Sequence, residues 1–410
     1  MPTECDVLIV GGGLVGSTLA HALAQIPVST VLVEERAPGR LEAPGFDDRS
    51  TALASASQRI LDGLGLWEGV AGEAEPIRTI HISERGRFGA SRLLASEEGV
   101  PALGYTVENR VLTGAVWPKI REAEAVTCLA PGSLEDFEVE ASGVTARVNT
   151  EGSVRTIRAR LLVAADGARS RVRSELGIGV REDDYGQKGV ILNCETEIPH
   201  RGRAFERFTP TGPLAMLPLG RGRMSVVWTL PREEGDRIGA LGDGPFRHAL
   251  QRAFGYRLGR IRQVGARSAW PLHRVRADKL TATRAVLVGN AAFSLHPVAG
   301  QGFNLALRDI AALSELICDA RRDDAEADPG AAPLLDRYAD WRAADQRRIA
   351  EFTHGLMRLF TIDAAPIAVS RGLGLMAFDL VPGAKRWLAR QAMGLGGRVS
   401  RLARGLRLTS

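Results

Sequence analysis

A glycine-rich turn close to the start of the sequence constrains the fold more than any other feature. Residues 5–10 are apolar and predict a buried strand, residues 14–25 have helical periodicity, and residues 30–34 predict a second strand parallel to the first. The turn between the first strand and the helix has the spacing Gly-x-Gly-x-x-Gly. A strand, such a turn and a helix in this order predict the β-α-β start of a dinucleotide-binding domain.

The three glycines and one carboxylate of this unit have separate physical tasks. Gly11 permits the tight turn, Gly13 lets the main chain approach a pyrophosphate, and Gly16 lets the helix pack closely on the strand. The amide groups and the dipole of the helix N-terminus then face the phosphates. Glu34 ends the second strand, where its carboxylate can accept hydrogen bonds from an adenosine ribose; the alternative is that it only ends a strand in the solvated run 34–36.

The composition is ordinary for a globular protein. The chain has 410 residues, 45% hydrophobic and 25% charged, which allows a sizeable core and two or three domains. The net charge of +5 arises from 53 basic and 48 acidic residues, and the absence of a basic stripe interleaved with aromatic residues predicts no nucleic-acid partner. The four cysteines are far apart and form no CxxC pair, so neither a disulfide scaffold nor a metal site is predicted.

The sequence also carries a prediction about location. The first apolar run lacks a preceding basic region, and no stretch of about 18 apolar residues occurs. Together with the unpaired cysteines, these features predict a cytoplasmic protein without a membrane-spanning segment.

Two further segments decide between FAD and NAD, which both fit the glycine-rich turn. The second segment places Asp166 and Gly167 directly after the apolar strand 161–165. The third follows another apolar strand and contains, in order, Gly289, Asn290, Pro297, Gly300, Gly302, Asn304 and Asp309. With the glycine-rich turn, these motifs resemble those of the FAD-dependent aromatic hydroxylase family. The resemblance implies FAD as the cofactor and places all three segments around it.

The third segment also has a physical rationale. Gly300 and Gly302 would let the main chain lie against the edge of the isoalloxazine ring, and a helix that begins near Asn304 would point its positive end at the pyrimidine ring. Asn290 departs from the usual aspartate of the family, although its amide oxygen can still accept a hydrogen bond from a ribityl hydroxyl. Ala306 replaces a glycine that is common there.

The resemblance narrows to the ubiquinone-biosynthesis hydroxylase branch. It covers nearly the whole chain, weakens after about residue 365, and is carried by residues 46–53, 65–67, 108–112, 185–187 and 206–219. By position in the family, Arg49 and Arg110 would approach the FAD, and Pro218 would lie beside the pocket over the ring. The cofactor-binding residues implied by motif and resemblance are Gly11, Gly13, Gly16, Glu34, Arg49, Arg110, Asp166, Gly167, Gly289, Asn290, Pro297, Gly300, Gly302 and Asn304.

The activity implied by this branch is hydroxylation of the ring of a polyprenylated methoxyphenol through a flavin C4a-hydroperoxide, with O₂ as co-substrate. NAD(P)H is the implied reductant and would dock without a Rossmann unit of its own. Such chemistry needs no metal; the protein orients the ring and excludes water. A hydrogen-bond acceptor would activate the phenol, and His296 is a candidate, but a loop histidine fixed before Pro297 is the stronger interpretation, so the catalytic residue is unknown.

Three other functions remain open at this point. A flavin reductase of polyprenyl lipids, a hydroxylase of another aromatic substrate, and a non-catalytic flavoprotein of a biosynthetic assembly all fit the same motifs. Other ubiquinone-biosynthesis proteins are candidate partners.

The predicted fold class is α/β, with a discontinuous doubly wound, Rossmann-like FAD-binding domain, an antiparallel-sheet substrate domain and a helical C-terminal region. The FAD-binding domain is predicted over residues 1–75, 106–182 and 283–330, the substrate sheet over 76–105 and 183–282, and the helical region over 331–410. Residues 48–64 are predicted as a helix led by a polar loop, and the glycines at 239, 242 and 244 as a loop.

The last segment predicts a contact with lipid. Residues 384–410 hold seven basic residues and no acidic one; Arg398, Arg401 and Arg404 recur at three-residue steps opposite Val399, Leu402 and Leu406. This pattern can rest on an anionic surface such as the inner membrane, where a polyprenyl substrate is found. A solvated or frayed terminal helix is the alternative.

Overall fold

The computed structural model describes residues 3–36, 45–87, 89–294, 301–361 and 382–409. Its strands are β1 (Thr3–Val10), β2 (Thr30–Val33), β3 (Ser50–Ala54), β4 (Glu75–Ile77), β5 (Thr79–Glu84), β6 (Ala90–Leu94), β7 (Gly104–Glu108), β8 (Val126–Leu129), β9 (Ser133–Val139), β10 (Val144–Thr150), β11 (Ser153–Ala164), β12 (Val180–Thr196), β13 (Arg203–Thr209), β14 (Gly212–Leu219), β15 (Arg223–Pro231), β16 (Ile261–Val264), β17 (Ser268–Ala277), β18 (Thr281–Ala282), β19 (Ala285–Leu287) and β20 (Phe293–Ser294).

The helices follow the same chain order. They are α1 (Leu14–Leu23), α2 (Ser55–Gly63), α3 (Glu68–Ala71), α4 (Asn109–Glu122), α5 (Arg171–Glu175), α6 (Arg232–Gly239), α7 (Asp243–Phe254), α8 (Gln301–Asp323), α9 (Ala332–Thr361) and α10 (Pro382–Ala392), with single 3-10 turns at Gly289–Ala291 and Leu402–Arg404.

The first sheet has a parallel centre, as the glycine-rich turn predicts. Strands β19, β11, β1, β2 and β8 are neighbours in this order, and every adjacent pair is parallel. The four residues of β2 and the last four of β1 are buried and apolar apart from Thr30, as expected for a sheet covered by helices on both faces. Helices α1, α4 and α8 pack together beside it. The predicted α/β fold class is confirmed.

The second sheet is mainly antiparallel. Its strands lie in the order β20-β17-β12-β15-β14-β13-β5-β6, with β16 paired to β12, and the only parallel pair among these described strands is β13 with β5. The pairing of β5 to β13 joins two chain segments that are far apart in sequence. Apart from β20, its strands fall within residues 79–94 and 180–277, and their role as a substrate sheet stays a prediction.

The loop prediction for the glycines at 239, 242 and 244 holds only for residues 240–242. Gly239 ends α6, Gly242 precedes α7, and Gly244 lies in the first turn of α7. The signal for α7 was the spacing of Phe246, Leu250 and Phe254, which are all buried in one cluster against the second sheet. Three buried apolar residues at four-residue intervals on one face predict a helix more strongly than the preceding glycines predict a loop.

The helix prediction for residues 48–64 is wrong in its first half. Ser50–Ala54 forms β3, antiparallel to β7 in a three-stranded sheet with β4, and α2 starts only at Ser55. The cause is a tertiary contact: the Asn304 side chain accepts a hydrogen bond from the Ala54 amide at 2.7 Å and donates one to the Ala52 carbonyl at 2.7 Å. A partner 250 positions away cannot be found from local periodicity.

The C-terminal segment packs into the body of the protein. Leu402 and Leu408 are fully buried in the main core, Arg401 is buried beside Glu315 and Asp319, and the Arg398 guanidinium lies over the Trp341 ring at 3.8 Å. Of the six side chains in the predicted lipid-facing pattern, Arg401 and Leu402 are buried and therefore cannot face a membrane. Arg398, Arg404 and Leu406 are exposed, and their contact with lipid stays a prediction. Within the described residues, no helix has both the length and the apolar character needed to cross a bilayer.

Candidate flavin and substrate site

The glycine-rich turn packs against the segment that contains Asp166. Gly11 has φ +98°, and a Cβ atom placed on it would lie 2.6 Å from the Ala165 carbonyl oxygen and 2.9 Å from the Asp166 Cα atom. A Cβ atom on Gly16 would overlap the Gly11 carbonyl oxygen. The first and second segments are thus in contact at the carboxyl ends of β1 and β11, which are paired in parallel.

Glu34 is held at the same place by main-chain amides. Its Oε2 atom accepts a hydrogen bond from the Gly12 amide at 2.6 Å, and its Oε1 atom accepts one from the Arg36 amide at 3.0 Å. Each carboxylate oxygen can accept a further bond. The carboxylate is therefore fixed at the end of β2 with acceptor capacity left for a donor such as a ribose hydroxyl.

A cavity of about 430 Å³ opens between these segments. Its lining includes Gly11, Gly13, Glu34, Asp166, Gly167, Arg169 and Arg171. A Cβ atom on Gly13 or Gly167 would meet no atom within 4 Å, so the main chain is open to a ligand at both positions. Gly13 precedes α1, whose N-terminus favours negative charge.

Asp166 provides an independent indication of a ligand. Its Oδ2 atom accepts a hydrogen bond from the Val172 amide at 3.1 Å, but its Oδ1 atom is buried and has no hydrogen-bond partner among the described residues. Buried polar atoms nearly always have a partner, so such an exception calls for one. A hydroxyl-bearing dinucleotide would supply it, and the residues of this cavity fit FAD.

Arg173 ties the second segment to the third. It is buried, and its guanidinium donates to the Ala168 carbonyl at 3.0 Å and to the Ala291 carbonyl at 2.9 Å. Ser170 caps the short helix α5 by accepting a hydrogen bond from the Arg173 amide at 3.0 Å. Arg173 therefore holds two predicted cofactor segments together.

The third segment packs closely against α1 and α8 at Gly289. This residue has φ +59°, and a Cβ atom on it would lie 3.0 Å from Val15 in α1 and 3.4 Å from Ala306 in α8. Asn290 is exposed, and its Oδ1 atom lies 3.9 Å from where a Gly302 Cβ atom would be. The start of α8 therefore faces the end of β19.

Other predicted residues of this segment have different surroundings. The Asn304 amide binds the main chain of β3, so a direct flavin contact by Asn304 stays a prediction. Helix α8 begins at Gln301, three residues before the predicted start. His296, Pro297 and Gly300 lie outside the described residues.

The two predicted arginines are engaged with other side chains. Arg110 lies 2.6 Å from a Glu108 carboxylate oxygen and 3.1 Å from one of Asp48. Burial acts to lower the pKa of Arg110, but these carboxylates outweigh it and the pKa is raised. Arg49 is exposed, with its guanidinium 5.1 Å from the centroid of the Trp270 ring. Contact of either arginine with FAD stays a prediction.

A second cavity, of about 130 Å³, lies next to Asn304. Its walls are mainly apolar and come from β3, α2, β5, β13, β14, α8 and the C-terminal segment; the polar side chains in them are Ser57, Glu206, Asn304, Arg308 and Gln391. An apolar cavity of about 150 Å³ is large enough to bind benzene. At about 130 Å³ this cavity is close to that size, so its volume is of the order that one aromatic ring needs. Pro218 is buried one position from the lining residue Leu217, and its predicted place over the ring stays a prediction.

Glu206 is a functional candidate that the sequence reasoning missed. The sequence shows it only as one residue of a motif, with no role attached, although a carboxylate two positions from the apolar Ala204 and Phe208 on a predicted strand is a usable signal. In the structure it faces the apolar cavity, and burial raises the pKa of its carboxyl to about 7. A carboxyl with this pKa exchanges its proton near neutral pH.

We expect Glu206→Gln to stabilise the fold at high pH. Because the folded-state pKa of about 7 exceeds the ordinary 4.5, the stability that this carboxyl contributes is fully present below about pH 4.5 and is lost as the pH rises through about 7. The 2.5-unit difference corresponds to about 3 kcal/mol. Urea unfolding should therefore show a more stable variant at about pH 8.5, with a much smaller difference at about pH 4.5. Equal stability of the wild-type protein and the variant at both pH values would contradict this prediction.

A buried network of charged side chains holds the third segment in place. Asp309 accepts hydrogen bonds from the Gly289 amide at 3.0 Å and from Arg342 at 2.6 Å. Arg342 also binds Asp345 at 2.5 Å, and Asp345 is 2.6 Å from Arg308, which lines the second cavity. Arg342 is 1% exposed; burial would lower its pKa, but the two carboxylates raise it. The network fixes the Gly289 turn to α8 and α9.

A doubly wound sheet with three converging motifs beside a ring-sized apolar cavity defines the class of FAD-dependent aromatic-ring monooxygenases. Residues 4–353 match the family described as FAD binding domain, and the chain belongs to this family.

Individual relatives agree with this class. The chain is 43% identical to the ubiquinone hydroxylase UbiL of Rhodospirillum rubrum, over 98% of this chain and 93% of the relative. It is 34% identical to the 3-demethoxyubiquinol 3-hydroxylase of Escherichia coli K12, over 96% of this chain and 99% of the relative. Among solved structures, the p-nitrophenol 4-monooxygenase PnpA of Pseudomonas putida DLL-E4 has the same fold, with a TM-score of 0.79, 18% identity, and coverage of 97% of this chain and all of that one.

Proposed function

We propose that the protein hydroxylates the ring of a polyprenylated methoxyphenol in ubiquinone biosynthesis. The observation that carries this proposal is the apolar, ring-sized cavity beside Asn304, in the first turn of α8 near the end of the third cofactor segment. The names of the relatives support the pathway, since both UbiL and the Escherichia coli enzyme act on ubiquinone or its precursors by name. The flavin unit proposed for this reaction is assembled from residues 1–75, 106–182 and 283–330, and the substrate sheet from 76–105 and 183–282.

Bound FAD, once reduced, would supply the chemistry that activates O₂ for transfer to the ring. The residues of this chain then have three tasks. Gly11, Gly13 and the N-terminus of α1 would hold the pyrophosphate, and the Glu34 carboxylate would accept hydrogen bonds from the ribose hydroxyls. The Oδ1 atom of Asp166 would accept a hydrogen bond from a cofactor hydroxyl.

The substrate cavity has two further tasks. Its apolar walls from β3, β13 and α8 orient the ring and exclude water, which protects the oxygen transfer from side reactions. NAD(P)H is the proposed reductant and O₂ the co-substrate. Because a polyprenyl chain partitions into a bilayer, we place the working enzyme at the inner membrane surface, in contact with other proteins of the pathway.

Isotope incorporation tests this function directly. Purified protein loaded with FAD should transfer one atom of labelled O₂ into a short-chain prenylated methoxyphenol when NADH or NADPH is supplied. A protein that takes up FAD but instead reduces a prenyl double bond, with no label in the product, would be a reductase and would overturn the proposal. Uptake of FAD with neither reaction would favour a different aromatic substrate or a non-catalytic role.

A further inference from the structure

The second cavity contains one carboxylate among its described lining residues, and that carboxylate belongs to Glu206. Side chains alternate along β13, so neighbours of Glu206 face the other way. Phe205 packs edge-on against Phe254 of α7 at 5.3 Å, and Arg207 donates to the Ala253 carbonyl at 3.2 Å. Glu206 is thus directed into the apolar cavity, away from α7.

The Glu206 carboxylate has one oxygen atom that receives no hydrogen bond from the described residues. Its Oε1 atom is buried and has no hydrogen-bond partner within the described ranges. An acceptor left unpaired in an apolar environment destabilises the fold, whereas a donor on a ligand would compensate it. The unpaired oxygen therefore points to a ligand that brings a hydroxyl or amine hydrogen into the cavity.

The charged groups around Glu206 do not neutralise it. Arg308 of α8 is the other charged side chain in the described lining, and its guanidinium is already bound to Asp345 and to the Gly396 carbonyl at 2.8 Å. On β5, the residue opposite Glu206 is Ile82, and the nearby His81 ring packs on Phe205 at 5.7 Å, on the α7 side of the sheet. On β14, the opposite residue is Ala215.

We propose that Glu206 accepts a hydrogen bond from the phenolic hydroxyl of the substrate and then takes its proton. This inference rests on the proposed function and adds the residue that activates the ring. The O–H bond of the phenol breaks, an O–H bond forms on the Glu206 carboxylate, and the negative charge moves to the phenol oxygen. The ring becomes richer in electrons at the positions that receive oxygen, and Glu206 later releases the proton to solvent.

The pH dependence follows from the same arrangement. Glu206 must be ionised to accept the proton, and desolvation in the apolar cavity raises the pKa of its carboxyl to about 7. The hydroxylation rate should therefore increase as the pH rises through about 7. A base with its pKa near the working pH transfers protons most effectively.

The test compares Glu206→Gln with the wild-type protein, both loaded with FAD, using a short-chain prenylated methoxyphenol as the probe. We expect the hydroxylation rate to fall about 100- to 10,000-fold, the range for loss of a general base, and the rise near pH 7 to disappear. Ultraviolet difference spectra at pH 7.5 should show the shift of a bound phenol that donates a hydrogen bond to a carboxylate in the wild-type protein, and no such shift in the variant.

Two further variants make the result specific. Glu233→Gln removes an exposed carboxylate of α6 and should leave the rate, the pH profile and the probe spectrum unchanged. Glu206→Asp keeps a carboxylate and should retain the rise in rate with pH at a reduced rate. Unchanged FAD absorbance, with a thermal midpoint in Glu206→Gln that is no lower than in the wild-type protein, would show that the fold and cofactor site are intact.

The outcomes separate this inference from the proposed function. If the wild-type protein incorporates labelled oxygen and Glu206→Gln does so at the same rate with the same pH profile, the role of Glu206 is refuted while the function stands. If the wild-type protein incorporates no label but still shows the spectral shift of a bound phenol that Glu206→Gln lacks, the function fails and the binding role of Glu206 stands.

Discussion

Replacement of Asp309 by asparagine should destabilise the fold by about 3–5 kcal/mol, the usual loss when one partner of a buried ion pair is removed. Asp309 is 1% exposed and binds Arg342, which is equally buried. Without this carboxylate, Arg342 and Arg308 share Asp345 as their remaining acidic partner in the network. Urea unfolding followed by circular dichroism measures the change.

Two controls show whether charge is the cause. Asp340→Asn alters an exposed aspartate on the same helix as Arg342 and should change the free energy of unfolding by no more than about 0.5 kcal/mol. Adding Arg342→Met to Asp309→Asn removes the uncompensated cation and should recover much of the loss, while the asparagine oxygen still accepts from the Gly289 amide. A single Asp309→Asn variant as stable as wild type would show that the network does not stabilise the fold.

Substitutions at two glycines of the first turn should have different consequences. Gly16→Ala would push a methyl group into the Gly11 carbonyl oxygen, which is main chain and cannot move aside. We expect a loss of about 3 kcal/mol of folding stability, at the upper end of the usual cost of overpacking, together with loss of FAD. Gly13→Ala meets no protein atom within 4 Å and should fold normally, but its methyl group would occupy the approach of the pyrophosphate and lower FAD affinity at least about tenfold.

Flavin absorbance per protein and the thermal midpoint separate these two effects. Gly72→Ala is the control, because Gly72 has φ −66° and open space around it, and this variant should match the wild type in both measurements. A Gly13→Ala protein that binds FAD as tightly as wild type would refute the proposed position of the pyrophosphate. A fully stable Gly16→Ala protein would refute the close contact between α1 and the turn.

The parts of the fold that were predictable from sequence depend on local physics. The strand before Gly11, the helix after it and β2 follow from apolar runs interrupted by glycine, and the structure has them within about two residues. The strand β3 was not predictable, because its conformation depends on Asn304. Helix α7 was missed for a different reason: the glycines before it received more weight than the spacing of Phe246, Leu250 and Phe254.

The residues of the candidate site also divide into those that local sequence predicts and those that depend on tertiary contacts. Residues that act through their main chain, such as Gly11 and Gly13, belong to a motif with fixed spacing and could be named in advance. Arg173 and Asp309 act by joining segments more than 30 positions apart in sequence, to Ala291 and Arg342 respectively. Glu206 has a role only because β5, β14 and α8 surround it with apolar walls. Burial of this kind is a property of the assembled protein.

The C-terminal segment reaches the substrate cavity, where Gln391, Ala392 and Gly394 form part of the wall. The family match ends at residue 353, so this part of the wall lies beyond it. These three residues do not line the cavity that contains Gly11, Glu34 and Asp166, so substitutions there can alter the space proposed for the aromatic ring without touching the proposed nucleotide site. We expect an exchange of residues 391–394 between relatives to alter the preferred ring while FAD binding is kept.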